Sequence, residues 1–273
     1  MIAFYLPGGL PIYAYSLSLA LGAALGLGLS AWGAFQPRES WESSLQSRLD
    51  AGLALLAGCL VGARLAYILV HWEYFRQQPW EGLQFSRGGL AWPGALAGGL
   101  LALALFAALT RRPFGALADA LLPLPALLAA GAWMGCWLDG CAYGLALPRA
   151  GGLPAPDEYS LIALRFPVQP LGALASLGIL WALDRLSTEK KARLLRIGGM
   201  KALLWLSALS LTLLALSFLR ADPAPRWLNL RLESWAALFF TVLFTSASLL
   251  VIRSRPDGGV ERAESPAAFS RRQ

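Results

Sequence analysis

The chain has 273 residues, 57% of them hydrophobic and 14% charged, with a net charge of +7. An ordinary water-soluble domain carries about 25% charged residues, so the deficit points to lipid as the main solvent. No basic patch interleaved with aromatics and no nucleic-acid motif is present, which sets nucleic acid aside as a partner.

The opening stretch MIAFYLPGGLPIY contains no Lys or Arg. It lacks the basic start of a cleaved signal peptide, so the first apolar segment is read as a retained membrane helix. A spanning helix needs about 20 mostly apolar residues. Inside lipid the backbone must satisfy its own polar groups, which makes helices the default.

Seven segments meet this description: 12–32, 51–70, 89–109, 115–137, 168–183, 200–219 and 234–252. The fourth carries Asp119, Pro123 and Pro125, and the fifth is short. With the N-terminus outside, fifteen of the 23 Lys and Arg fall in inner segments and seven in outer ones, with Arg64 left inside a span. Arg38 and Arg48 belong to the first inner loop on this reading. The bias matches the rule that cytoplasmic loops are richer in Lys and Arg. The expected fold is therefore an all-α, polytopic membrane helical bundle of about seven transmembrane helices, N-terminus outside and C-terminus cytoplasmic. Residues 1–253 form the membrane domain, and the polar tail 254–273 is expected to be disordered.

Several polar groups fall where hydrocarbon-facing residues are expected. Arg64 lies in CLVGARLAYILV. A charge at mid-bilayer costs about 2.5–3.5 kcal/mol, so such residues usually face a protein interior or a wet cavity. Two readings stand: an inward, anion-facing role, or a side chain that snorkels to the headgroups. His71, the one histidine, closes the same segment. In SRGGLAWPGALAGG, Arg87, Gly88 and Gly89 open the third span. Free N–H groups beside an Arg suit a phosphate. The small residues, Gly94 among them, equally suit helix packing.

The fourth span ends in GAWMGCWLDGCAYG, with Gly135, Asp139, Gly140, Tyr143 and Gly144. It reads as the rim of a headgroup cavity or as a helix cap with interfacial aromatics. Cys59, Cys136 and Cys141 are the three cysteines. Their odd number argues against a disulfide framework, and Cys136 and Cys141 are expected to be small buried hydrophobes. With one His, a zinc site is not expected. No metal and no cofactor is assigned. Arg165 and Gln169 enter the fifth span, and Arg226 and Arg231 precede the seventh.

Taken in order, these pieces resemble the prolipoprotein diacylglyceryl transferase family over about Pro11 to Arg253. PIYAYSLSLALGAALG resembles the family's first helix, with its Tyr at Tyr15. Gly62, Arg64 and Tyr67 match its Gly-x-Arg-x-x-Tyr segment. GGLAWPGALAGG is similar to its glycine segment at Gly88 or Gly89, Trp92 and Gly94. MGCWLDGCAYG is similar to its signature at Gly135, Cys136, Trp137, Asp139, Gly140 and Gly144. RFPVQPLGAL is similar to its Arg-x-Pro-x-Gln segment at Arg165, Pro167 and Gln169. Arg231 lies near another Arg of the family.

The resemblance implies a multi-pass protein of the bacterial plasma (inner) membrane. It implies a transferase that moves the diacylglyceryl group of phosphatidylglycerol to the lipobox cysteine thiol of preprolipoproteins. Its partners would be phosphatidylglycerol, membrane lipid and preprolipoprotein signal peptides. Tyr15, Arg64 and Asp139 are the catalytic candidates. Arg64, Arg87, Gly88, Gly89, Gly94, Gly135, Asp139, Gly140, Gly144, Arg165, Gln169 and Arg231 are the substrate-binding ones. The chain departs from the family pattern at four places. Pro93 stands for His, Trp133 for Arg, Asp139 for Asn, and Leu171-Gly172 for Tyr-Glu. The alternative is a catalytically inactive or repurposed paralogue that binds lipid or a protein partner.

Overall fold

The computed structural model describes residues 2–5, 11–33, 45–84, 88–148, 151–188 and 193–254. Two strands, β1 (Ile2–Tyr5) and β2 (Pro11–Tyr13), pair antiparallel ahead of α1 (Ala14–Trp32). Then follow α2 (Leu45–Val70), the single turn α3 (Trp72–Phe75), a 3-10 turn (Pro79–Leu83) and α4 (Trp92–Thr110). The pair α5 (Phe114–Ala120) and α6 (Pro123–Asp139) leads to the hairpin β3 (Leu153–Pro156) and β4 (Ile162–Arg165). The rest is α7 (Val168–Thr188), α8 (Met200–Ser217), the ribbon β5 (Arg226–Trp227) and β6 (Leu230–Arg231), and α9 (Leu232–Arg253).

The protein is an all-α polytopic membrane bundle. Five of the described helices, α1, α2, α4, α8 and α9, are long and apolar enough to cross a membrane. The pair α5 and α6 makes a sixth if read as one broken span, bent by 49°. The sequence leads one to expect a single fourth span here. Pro123 opens α6, and a Pro N-terminal to a helix has no N–H to continue the one before it. The fifth expected span, α7, has 21 residues, but Gln169, Asp184 and Arg185 dilute its apolar run. The tail beyond 254 lies outside the described residues.

The second helix starts earlier than expected, at Leu45, so Arg48 is a helical residue and not a loop one. Arg48 is buried and donates through Nη1 to the Ser30 carbonyl of α1 at 3.0 Å. A buried charge is tolerable only with such partners.

Between helices in lipid there is no hydrophobic drive, so close packing and hydrogen bonds decide. The α2–α4 seam shows this. A Cβ on Gly62 would stand 2.2 Å from the Gly94 carbonyl, and one on Gly94 would stand 2.2 Å from the Gly62 carbonyl. Gly58 and Gly98 repeat the arrangement one turn away. The α1–α6 seam is similar, with Gly22 and Gly26 against the backbone of Leu127 and Leu124. Asp119 of α5 ties the far end of the bundle. Its carboxylate accepts from Gly199 N at 2.7 Å and Ala202 N at 2.8 Å. It thereby serves donors left unpaired at the start of α8.

The opposite end gathers the segments that carry the sequence motifs. The start of α1 meets the end of α6, where Gly135 packs on Tyr15. The end of α2 meets the start of α4, with Ala91 N donating to Ala63 O at 3.1 Å. The end of α8 meets the start of α9, where Ser234 donates to Ser217 at 2.9 Å. The β3–β4 hairpin extends from this end, where Gly140 abuts the Asp157 backbone.

Candidate functional site at the motif-bearing end

Arg64 decides how the α2 side of this end is built. It is only 5% exposed. Its Nε donates to Gly82 O at 2.8 Å, and Nη1 donates to Gly88 O at 2.6 Å and Gly89 O at 3.2 Å. Nη2 donates to Glu81 O. Five fixed N–H groups on a planar fork suit this task. One buried guanidinium thus pins both the 3-10 turn and the glycine loop to α2. The rings of Tyr67 and Phe75 flank it, with centroids 5.8 and 5.4 Å from Cζ.

Arg64 is buried in the bundle, and the hydrogen bonds just described go to backbone carbonyls. Gly88 and Gly89 both have positive φ, 78° and 75°, which turns their carbonyls toward Arg64 at no steric cost. Gly94 packs against Gly62 in the seam described above. His71 stacks on Tyr67, centroids 4.2 Å apart. Arg87 lies outside the described residues.

The α6 side is built around a turn. Gly140 ends the helix in the left-handed region at φ 73°, as a helix terminator commonly does. Cys141 N donates to Cys136 O at 3.0 Å across that turn. The two sulfurs are also bonded to each other. The expectation of two small buried hydrophobes is therefore corrected. The C-x4-C spacing becomes a pair because Gly140 turns the chain back on the helix end, bringing the Cα atoms to 4.6 Å. Gln169, 1% exposed at the start of α7, donates to Cys141 O at 3.1 Å. Asp139 is the last residue of α6, one turn beyond the Gly135 that packs on Tyr15. Gly144 packs against the Phe166 carbonyl.

Arg165 leaves β4 and donates through Nη2 to Asp157 Oδ2 at 3.0 Å. Its guanidinium lies 4.3 Å from the Tyr143 ring centroid. Asp157 also accepts at Oδ1 from Tyr159 N and Leu161 N, so one carboxylate holds both the hairpin turn and the arginine. Burial pushes the Tyr143 hydroxyl up to about 12, with a hydrogen bond to Glu158 adding to the rise.

A second cationic cluster joins this one through strand-like contacts, with Leu145 N on Leu219 O and Ala221 N on Tyr143 O. Arg220 makes a two-pronged contact with Asp222, 2.9 and 2.6 Å, and reaches Glu233 at 2.6 Å. Arg231, 6% exposed, donates to Asp222 O at 2.8 Å, and its Nη2 lies 2.9 Å from Asp222 Oδ2. Burial alone would lower the Arg220 guanidinium, but Asp222 and Glu233 outweigh it and raise it.

The structure thus brings Tyr15, Gly135, Asp139, Gly140, Gly144, Arg165 and Gln169 to one region, with Arg231 beside them. Arg64, Gly88, Gly89 and Gly94 form a separate clamp on α2 and α4. Asp157, Arg220 and Asp222 were not singled out from sequence. The signal for the two acids was their place in loops that also hold arginines. Among the described residues, no group of three His, Cys, Asp or Glu is placed to hold a metal ion.

Trp133 and Gly172 supply the remaining feature. The Trp133 indole, 8% exposed, lies against Gly172 of α7. These two positions are where the family pattern carries Arg and Glu. Two of the departures noted in the sequence thus meet as a ring packed on a bare backbone.

Comparison with known proteins gives the following. A family model described as prolipoprotein diacylglyceryl transferase matches residues 1–251. Curated relatives include a phosphatidylglycerol–prolipoprotein diacylglyceryl transferase of Trichormus variabilis, 34% identical over 42% of this chain and 40% of the relative. One of Parasynechococcus marenigrum is 36% identical over 55% of this chain and 52% of the relative. One of Bacillus cereus is 31% identical over 55% of each. The chain spans about half the length of the curated relatives it matches.

Proposed function

We propose, because this chain belongs to the prolipoprotein diacylglyceryl transferase family, that it moves the diacylglyceryl group of phosphatidylglycerol to the lipobox cysteine thiol of a preprolipoprotein. In that step the thiolate attacks the glycerol carbon. The carbon–sulfur bond forms as the carbon–oxygen bond to phosphate breaks, and glycerol 1-phosphate leaves. The chemistry needs positive groups to offset phosphate charge and a base for the thiol. The single observation that carries this reading is the gathering of signature residues at one end of a membrane bundle. Gly135 packs on Tyr15 there, Asp139 ends the same helix, and Gln169 and Arg165 are held close by.

The seven-span topology with the N-terminus outside belongs to the same proposal. It puts the end of α6 on the outer side. A disulfide at that end fits an oxidising, non-cytosolic compartment. The bacterial inner membrane is the corresponding location. The whole of residues 1–253 acts as one membrane domain.

A specific observation favours a second reading. The Trp133 ring on Gly172 fills the place of the family's Arg and Glu, and Pro93 carries no titratable group. On this reading the protein keeps the scaffold and binds a phospholipid or a partner without turnover. Expression in a cell depleted of its own transferase separates the two. Restored growth and lipid-modified lipoproteins support the transferase. Normal membrane insertion without rescue supports the non-catalytic protein.

A further inference from the structure

The proposed transfer step uses neither sulfur of the Cys136–Cys141 disulfide, and other contacts hold the turn that it closes. The bond closes a loop with only four residues between the cysteines. A cross-link over so short a loop removes less chain entropy than one over a long loop. The same two residues are already joined by the hydrogen bond from Cys141 N to Cys136 O at 3.0 Å. Gly140 ends the helix in its left-handed conformation, and a side chain there would strike the Asp157 carbonyl, so the turn is fixed by backbone contacts as well. Gln169 anchors the Cys141 carbonyl from α7. Three contacts besides the sulfur bond hold the turn: the Cys141–Cys136 hydrogen bond, the Gly140–Asp157 packing and the Gln169 anchor.

Both cysteines are half-buried, with Cys136 at the edge of the cluster of Ala130, Trp133 and Val168. They sit at the helix end next to the half-exposed Leu138 and Leu145, where the chain leaves the bundle. Sulfur that a partner thiolate can reach is what exchange requires, since rate depends on access as well as on the attacking thiolate. Cys59, by contrast, lies within α2, where a side chain on Gly99 of α4 would meet its sulfur.

We propose that Cys136 and Cys141 form a redox site that exchanges with the paired thiols of a protein dithiol on the same side of the membrane. One partner thiolate attacks either sulfur. The Cys136–Cys141 bond breaks, an intermolecular disulfide forms, and the released cysteine takes up a proton. The second partner thiol then attacks the intermolecular bond. The partner leaves as a disulfide, oxidised by two electrons, and this chain holds two thiols. Exchange with an oxidised protein disulfide runs the same steps backwards. The site is independent of the transferase reading, and either stands if the other falls.

The test uses the full chain carrying Cys59→Ala, reconstituted in lipid vesicles. Thioredoxin that retains only its attacking cysteine serves as the probe. The expected result is a covalent adduct of the two proteins within minutes, resolved by dithiothreitol. Cys136→Ser and Cys141→Ser, which lack the disulfide, give none. In a second measurement, alkylation after graded dithiothreitol shows both thiols freed while the helical circular dichroism and melting temperature stay near those of the oxidised protein. The proposal is overturned if no adduct forms with the disulfide intact. It is equally overturned if the pair is reduced only in step with loss of helical structure, because the bond is then a structural staple. The paired variant Cys136→Ser/Cys141→Ser keeps the fold on this proposal and loses it on the staple alternative.

Discussion

Trp133 occupies the space that a side chain at Gly172 would need: a Cβ there would lie 2.3 Å from the indole ring. The two residues sit on α6 and α7, and Trp133 belongs to the cluster that also holds Ala130, Val168 and Ala173. Overpacking a filled site costs about 1–3 kcal/mol. Gly172→Ala is therefore expected to lower the melting temperature in detergent, and adding Trp133→Ala to recover much of the loss, because contacting sites are not additive. Trp133→Arg with Gly172→Glu restores the family pattern. On the transferase reading that pair equals or exceeds the native chain in transfer, and on the non-catalytic reading it creates activity where the native chain has none.

Arg64 makes a second prediction. Removing its guanidinium strands four carbonyl contacts at Glu81, Gly82, Gly88 and Gly89. Leaving a buried acceptor without its donor costs about 1–3 kcal/mol. Arg64→Ala is expected to expose the segment between α3 and α4 to protease and to lower stability. Arg64→Lys is expected to rescue little, since a point charge cannot reproduce the fork. Limited proteolysis in vesicles reads both. Full protection of that segment in Arg64→Ala would contradict the clamp.

The α2–α4 seam gives a third. Gly62→Val or Gly94→Val puts a branched side chain 2.2 Å from a facing carbonyl that has no room to retreat. These variants are expected to insert but to melt well below the parent. Gly28→Val, where a Cβ meets nothing within 4 Å, is the control and is expected to stay close to the parent.

Tyr143 sets an alkaline limit. Its hydroxyl is raised from 10.0 to about 12, mainly by burial and then by Glu158. The neutral phenol is the form the fold favours, so its contribution is complete below pH 10. It is lost as pH climbs from about 10 through about 12. Tyr143→Phe is expected to flatten the fall in melting temperature over that window. An unchanged fall would contradict this assignment.

The bundle was legible because apolar runs near spanning length are hard to mistake, and five helices carry them plainly. The break before Pro123 was foreshadowed by two prolines and Asp119, though not the capping of α8 by that carboxylate, which joins residues 80 positions apart. Arg64 was legible as a charge inside an apolar segment. Its partners were not, because they are backbone carbonyls with no sequence signature. Cys136 and Cys141 were misread because spacing alone does not disclose the turn at Gly140. Trp133 and Gly172 were visible only as two separate departures from the family resemblance, until α6 and α7 brought them into contact.

The most direct measurement follows radiolabelled diacylglycerol from phosphatidylglycerol to a synthetic lipobox peptide in vesicles holding the purified full chain. A bacterial transferase of the same family serves as the positive control. Label on the peptide, with glycerol phosphate released in equal amount and lost in an Asp139→Ala variant, is the expected result. An unlabelled peptide in vesicles where the control transfers normally contradicts the proposed activity.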